Sequence, residues 1–271
     1  MNKRSMRILG FSQIRDMLVR LAPSRLSKEA ARALNPDTGE DTVVKSLTDT
    51  EEAVVCLERE GQIPLGGITD IRPFLEKAKR EVTLSADECI AVWENAQRYG
   101  QIQDFFASKG EDYPQLSQRA ETLGDFSLLV QRVGTVFDEN HQVRDNASVE
   151  LARLRTRIAE LERRTKRYIQ QILADKSYQK YFQDTLVTVR NNRSVIPVKQ
   201  EYRHAFPGIV HDMSASGATL YVEPLAVVDA NNDLQTAKLA EEKEIERIYR
   251  RLTALIAGQY EDLYKSTMTT G

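Results

Sequence analysis

Long apolar runs are missing from this chain. Nowhere do about 18 apolar residues follow one another, and no charged start leads into a short apolar core. That pattern argues against a membrane span or a secretory leader, and the expectation is a cytoplasmic protein. Cysteine is nearly absent: Cys56 and Cys89 fit no metal-ligand spacing, and such sparse usage suits a reducing compartment rather than a disulfide scaffold. Histidine occurs only as His141, His204 and His211, too thinly for the clusters that a His-Asp phosphohydrolase needs. A charge excess of either sign is also lacking, with 38 Lys and Arg against 40 Asp and Glu, so nothing pulls the whole protein towards nucleic acid or acidic lipid. Any basic surface must be local. The phosphate-cradling pattern Gly-x-x-x-x-Gly-Lys-Ser/Thr does not occur, which removes nucleotide hydrolysis from what these residues can do. What is present, 271 residues of which 41% are hydrophobic and 29% charged, is enough to bury a core.

Up to about residue 130 the pattern predicts short helices broken by turns at Asn35-Pro36 and Pro64-Leu-Gly-Gly67. Ser85-Ala-Asp-Glu88 is a capping box, opening a helix with Cys89, Val92, Trp93 and Ala96 on one side. An isolated Trp at that spacing is read as core rather than as a base-stacking platform. Beyond Asp138-Glu-Asn-His141 the texture changes. Ser148 caps a helix whose Leu151, Leu154, Ile158, Leu161, Thr165, Tyr168 and Ile172 repeat at 3,4 spacing, and a second long helix from about Val228 repeats Ile245, Ile248, Leu252 and Leu255. Neither stripe is wide enough to stand alone, so the two helices are expected to pack antiparallel, as arms reaching roughly 45 Å at about 1.5 Å per residue. The arginines of the first (Arg153, Arg155, Arg157, Arg163, Arg164, Arg167) complement the glutamates of the second (Glu241, Glu242, Glu244, Glu246).

Between the arms the apolar period switches to two. Leu186 to Lys199 reads as two strands joined at Asn191-Asn192, since Asn tolerates the positive φ of a two-residue hairpin turn. Pairing Arg190 with Arg193 sets Val187, Val189, Ser194, Ile196 and Val198 on a core side, and Thr188, Arg190, Arg193, Val195 and Lys199 on a basic side. Pro197 lacks a ladder donor, which points to an edge. The stretch Gly208 to Pro224 reads as a second hairpin in which Met213 pairs with Ala218. That register places Ile209, His211, Met213, Ala218, Leu220 and Val222 on one face and turns Asp212 away. His211 is then a satisfied core histidine and not a member of a triad with Ser214 and Asp212. The serines and Gly217 serve the turn, with an anion-binding nest as the alternative.

Several of these stretches resemble one family. Arg190-Asn-Asn-Arg-Ser-Val-Ile-Pro-Val-Lys199, Glu201-Tyr-Arg203, Gly208-Ile-Val-His-Asp212, Ser214-Ala-Ser-Gly-Ala-Thr219, Val222-Glu-Pro224 and the Glu-rich Glu241 to Arg247 are similar to the clamp and returning lever of the second bacterial branch of the MutS family. Ile8-Leu-Gly-Phe11 with Ile14, and Pro64-Leu-Gly-Gly67 with Ile71, resemble the beginning of that family's core domain. The chain departs from the family's usual Asn-Gly at Asn191-Asn192 and from its common Gln at Met213.

The resemblance implies an amino-terminal fragment of a dimeric ATPase, one that usually ends in a nuclease-like Smr domain and is linked to suppression of recombination and rescue of collided ribosomes. It implies a mainly α fold: a helical core over residues 1–135, a first lever arm over 136–180, a β clamp over 181–227 and a truncated returning arm over 228–271. ATP and Mg are implied for the full-length protein and no cofactor or metal for this part. The expected function is contact with branched or duplex DNA, or with the ribosome through its RNA, by Arg190, Arg193, Lys199 and Arg203 on the clamp. A structural coiled-coil spacer or dimerisation module is the competing expectation, and a His-Asp phosphohydrolase the remote one.

Overall fold

The computed structural model describes residue 6 and residues 8–271. The chain is mainly helical with one small antiparallel sheet, and it divides into two compact units, residues 145–248 forming one and the flanking segments the other.

The flanking unit is built from α1 (Phe11–Leu21), α2 (Arg25–Ala33), α3 (Glu40–Glu60), α4 (Arg72–Lys79), α5 (Ala86–Ala107), α6 (Pro114–Glu121), α7 (Ser127–Gly134), the end of α9 (Val228–Gly258) and α10 (Tyr260–Thr270). Local chemistry explains the boundaries. Ser24 accepts from the Ser27 amide to open α2, proline occupies the first turn of α4 and of α6, and Gly61 takes a positive φ where α3 stops. The capping box forms at α5, with both the Ser85 and Glu88 side chains satisfying backbone amides. Along α5, Cys89, Ile90, Val92, Ala96, Tyr99 and Ile102 are buried, and the Trp93 indole donates to the Val130 carbonyl as a packing residue. The polar atoms on this helix are consumed internally: the Asn95 amide holds Thr69, and the Tyr99 hydroxyl meets Thr267. Cys56 and Cys89 are buried and free, and burial pushes the Cys89 thiol up to about 12.

In the other unit, α8 (Val149–Ala174) begins at Ser148, which caps the Leu151 amide. Helix α9 lies antiparallel to α8, since the cross-helix partners climb one helix as they descend the other: Ser148 with Glu244, Arg155 with Glu241, Glu162 with Lys238. Ile158, Leu161, Leu234 and Ala237 close the apolar seam. Two details differ from the sequence expectation. On α8 the stripe continues through Ile169 and leaves Tyr168 half-buried, and on α9 the buried positions in this unit are Ala230, Asn231, Leu234, Ala237, Glu244 and Ile248, with Ile245 only partly covered. The 3,4 stripe drifts at 3.6 residues per turn, so the contact moves off the original positions. Of the six arginines expected to meet the glutamate-rich helix, Arg155 forms the cross-helix pair with Glu241, while Arg153 binds Glu150 within its own helix.

The sheet has strand order β1-β2-β4-β3, with β1 (Thr188–Arg190), β2 (Arg193–Lys199), β3 (Gly208–Met213) and β4 (Thr219–Pro224), all neighbours antiparallel. One face, carrying Ile196, Val198, Leu220 and Val222, packs on Ile169, Phe182, Phe206 and Val227. Pro197 sits inside the strand order, which corrects the edge expectation. Its outer side is nevertheless free of β1, whose pairing ends at Thr188↔Val195, so no strand asks it for a donor, and its carbonyl accepts from the Gln183 amide. Val189, expected in the core, is exposed beside the turn.

Candidate nucleic-acid interface

The first hairpin turns as its residues require. Asn191 and Asn192 both take positive φ, 51° and 60°, and Arg190 stands opposite Arg193. Opposed arginines repel unless something offsets them. Here the protein itself supplies the anions. Arg190 pairs with Asp212 at 3.2 Å and lies over the Tyr221 ring, 4.3 Å from its centroid. Arg193 donates to Glu223 at 2.8 Å and to Asn232 at 2.7 Å. The Asn191 side chain donates to the His211 carbonyl. β1 and β3 lie at opposite edges of the sheet, so these contacts mean that the sheet curls and the tip of the first hairpin covers its polar face.

Glu223 is the hub of that face. Its side chain has no exposed surface, one carboxylate oxygen accepts from Arg193 and from Asn231, and the other lies 2.6 Å from His211 Nε2. An ionised carboxylate only accepts, so Nε2 carries the proton. Burial by itself would push this carboxyl up, but the hydrogen bonds from Asn231, Arg193 and His211 outweigh it and hold the group below its ordinary value. Asn231, in the first turn of α9, also bonds both the amide and the carbonyl of Ser194. Three strands and a helix thus meet at one buried charge.

The second hairpin departs from the expected register. Met213 pairs with Leu220, not Ala218, and a bulge between Val210 and Asp212 inserts an extra residue, so that Ile209 faces Glu223 and Val210 faces Val222. Upstream of the bulge the faces reverse. His211 and Asp212 both reach partners on the polar face, and Ile209 and Met213 are exposed. His211 is satisfied as expected, but by a buried acid and not within an apolar layer. It is committed to Glu223, Asp212 to Arg190, and Ser214 to Ser216 and the Thr219 amide, so the three do not form a triad.

The four residues expected to meet nucleic acid therefore differ in kind. Arg193 is bound to the buried hub and Arg190 to Asp212. Lys199 reaches only the Lys180 carbonyl at 3.4 Å, Arg203 is exposed, and neither forms an ion pair among the described residues. Strand parity alone puts Arg190, Arg193 and Lys199 on one side and does not reveal Glu223 and Asn231 as partners, although a glutamate inside the apolar run Leu220 to Val228 is a signal that a cation must be near. These four belong to a longer basic stretch: residues 163–203 hold ten Lys and Arg against three Asp and Glu.

Among the described residues no group of His, Cys, Asp or Glu could hold a metal ion, and no helix is long and apolar enough to cross a membrane. No family model matches the chain. Curated relatives do. It is 38% identical over 98% of its length to Endonuclease MutS2 of Geobacillus sp. (strain WCH70), and 36% identical over its full length to Endonuclease MutS2 of Acetivibrio thermocellus. It is 38% identical over 97% of its length to the protein of that name from Symbiobacterium thermophilum. The chain spans about a third of these relatives, 33–35% of their length. With that identity carried along nearly all of its residues, the chain belongs to the MutS2 branch of the MutS family.

Proposed function

We propose that residues 145–248 form a clamp carried on a lever, and that the chain acts as the nucleic-acid- or ribosome-contacting part of a dimeric MutS-type ATPase in recombination control or collided-ribosome rescue. The observation that carries this reading is the uneven charge of residues 163–203, ten cations against three anions in a protein whose net charge is -2. Lys199, at the end of β2, and Arg203, just beyond the sheet, form no ion pair among the described residues, and Arg190 keeps part of its guanidinium in solvent beside Asp212. These three meet phosphates, while Arg193 braces the hairpin from behind through Glu223. ATP and Mg are read as cofactors of the full-length protein and not of this part, in whose sequence the phosphate-cradling pattern does not occur.

The test is binding of the 271-residue chain to fluorescent branched DNA by anisotropy, and to ribosomes by sedimentation, over a series of salt concentrations. Binding that weakens steeply with salt is expected, with Arg190→Ala/Lys199→Ala/Arg203→Ala flattening the dependence on duplex DNA by roughly 2 to 3 units of log affinity per log salt. A chain that binds neither target at low salt is a spacer and not a clamp.

A further inference from the structure

Helix α8 holds a second set of cations, and these are not spent within the protein. Arg157, Arg163, Arg164, Lys166 and Arg167 are all exposed or partly so and form no ion pair among the described residues. Arg163 hydrogen-bonds the Ala159 carbonyl and Arg164 the Tyr168 hydroxyl, over whose ring its guanidinium lies, while Asp233 attracts Arg164 without forming an ion pair. The buried stripe of the same helix, Leu154, Ile158, Leu161, Thr165 and Ile169, fixes which way they point. With about 3.6 residues per turn, Arg163 and Arg167 stand opposite that stripe, Arg157 and Arg164 on one flank and Lys166 on the other. The carboxylate of Glu160 shares this arc but makes no ion pair among the described residues. Like charges within two turns repel, so this fan lowers helix stability unless an anion comes from outside.

We propose that the exposed arc of α8 at Arg163, Arg164, Lys166 and Arg167 is a binding surface for the phosphate backbone of B-form duplex DNA. The proposal deepens the clamp reading and rests on it. Cations on both flanks of one helix suit a groove with a phosphate wall on either side, and the B-form major groove, about 12 Å wide, admits a helix, whereas the major groove of A-form RNA is too narrow. A single strand fits less well, because it is held by free aromatic faces, and the one tyrosine beside this arc, Tyr168, is half-buried and covered by Arg164. Phosphate contact of this kind fixes position without reading sequence.

The experiment measures anisotropy of a labelled 30-base-pair DNA duplex, the same duplex as RNA, and one of its DNA strands against the 271-residue chain across salt concentrations. The variant Arg163→Ala/Arg164→Ala/Lys166→Ala/Arg167→Ala is compared with the charge-keeping Arg163→Lys/Arg164→Lys/Arg167→Lys, each checked for its helical circular dichroism. The alanine variant is expected to lose at least about tenfold in duplex DNA affinity, with the salt slope flatter by roughly 3 to 4 units, and the lysine variant to keep the slope. If the parent binds no nucleic acid, the clamp reading falls and this surface with it. If the parent binds DNA and the alanine variant keeps its slope, this surface alone falls. Equal or tighter α8-dependent binding of duplex RNA or of the single strand overturns the assignment to B-form DNA.

Discussion

Two sets of arginines in residues 145–248 look alike in sequence and behave oppositely in the fold. Arg190 and Arg193 are tied to Asp212 and Glu223, whereas Arg163, Arg164 and Arg167 on α8 form no ion pair among the described residues, Asp233 attracting Arg164 without pairing with it. Arg193 sits where a strand passes the buried carboxylate of Glu223, and removing it leaves a charge in a dry place. Arg190 and Asp212 both keep part of their surface in water. The second set sits on a helix face turned to water, where it costs little to remove and is available to an external anion. A basic residue in this protein therefore signals architecture where a buried acid is folded behind it, as behind Arg193, and contact where its charge stays in water.

The strongest way to break this contrast is Arg193→Ala. It strands the Glu223 carboxylate, and breaking a buried pair from one side is expected to cost about 3 kcal/mol or more, read as a lower urea midpoint for residues 145–248. An unchanged midpoint would place Arg193 in the second class. His211→Ala removes one of the donors to the same acid and should cost about 1 to 2 kcal/mol by the same measurement, with no separate chemical defect. Loss of nucleic-acid binding with unchanged melting would make His211 functional instead.

Acid sharpens the comparison. Glu223 titrates lower in the fold than its ordinary value of 4.5. Its contribution is therefore fully present above that value and is lost as pH falls through the depressed one. Urea midpoints measured from pH 6 down to 3 should decline below about 4.5 in the parent, and less steeply in Glu223→Gln. The same decline in both proteins would place the acid sensitivity elsewhere. The smallest effect belongs to the α8 cations: Arg163→Ala and Arg167→Ala should each shift stability by no more than about 0.5 kcal/mol, alanine being a good helix former on an exposed face. A larger loss would mean that these side chains have a partner within the fold after all.

The parts of this fold that were legible are those fixed by local rules. Asn191-Asn192 dictates a two-residue turn, and from it the Arg190↔Arg193 register follows. Ser85 with Glu88, and Ser148, announce helix starts that the backbone confirms. The second hairpin was not legible to the same depth. Its wider turn, closed by Ser214 and Thr219 with Gly217 at positive φ, moves the pairing by two residues, a shift that preserves faces. The bulge at His211 adds one residue, which reverses them, and nothing in Ile209-Val-His-Asp-Met213 marks an insertion. The hub was invisible for another reason: Asn231 lies in a helix that sequence counting treated only as an apolar stripe, and its amide meets Glu223 through tertiary packing. Arg193 was accordingly grouped with the free cations when it is a bound one.

The bulge has a consequence for how the protein keeps to itself. β3 is an outer strand that leaves Ile209, Val210 and Met213 exposed at 44%, 39% and 53%, the composition of a strand onto which another chain could zip. Such zipping needs an unbroken row of amides and carbonyls at regular spacing. The inserted residue interrupts that spacing, Asn191 occupies the His211 carbonyl, and the Met213 amide is turned to the Asp212 carboxylate. The same kink that carries a histidine to a buried acid thus leaves an apolar margin with few vacancies for a stray strand, and the protein can keep it uncovered without inviting aggregation.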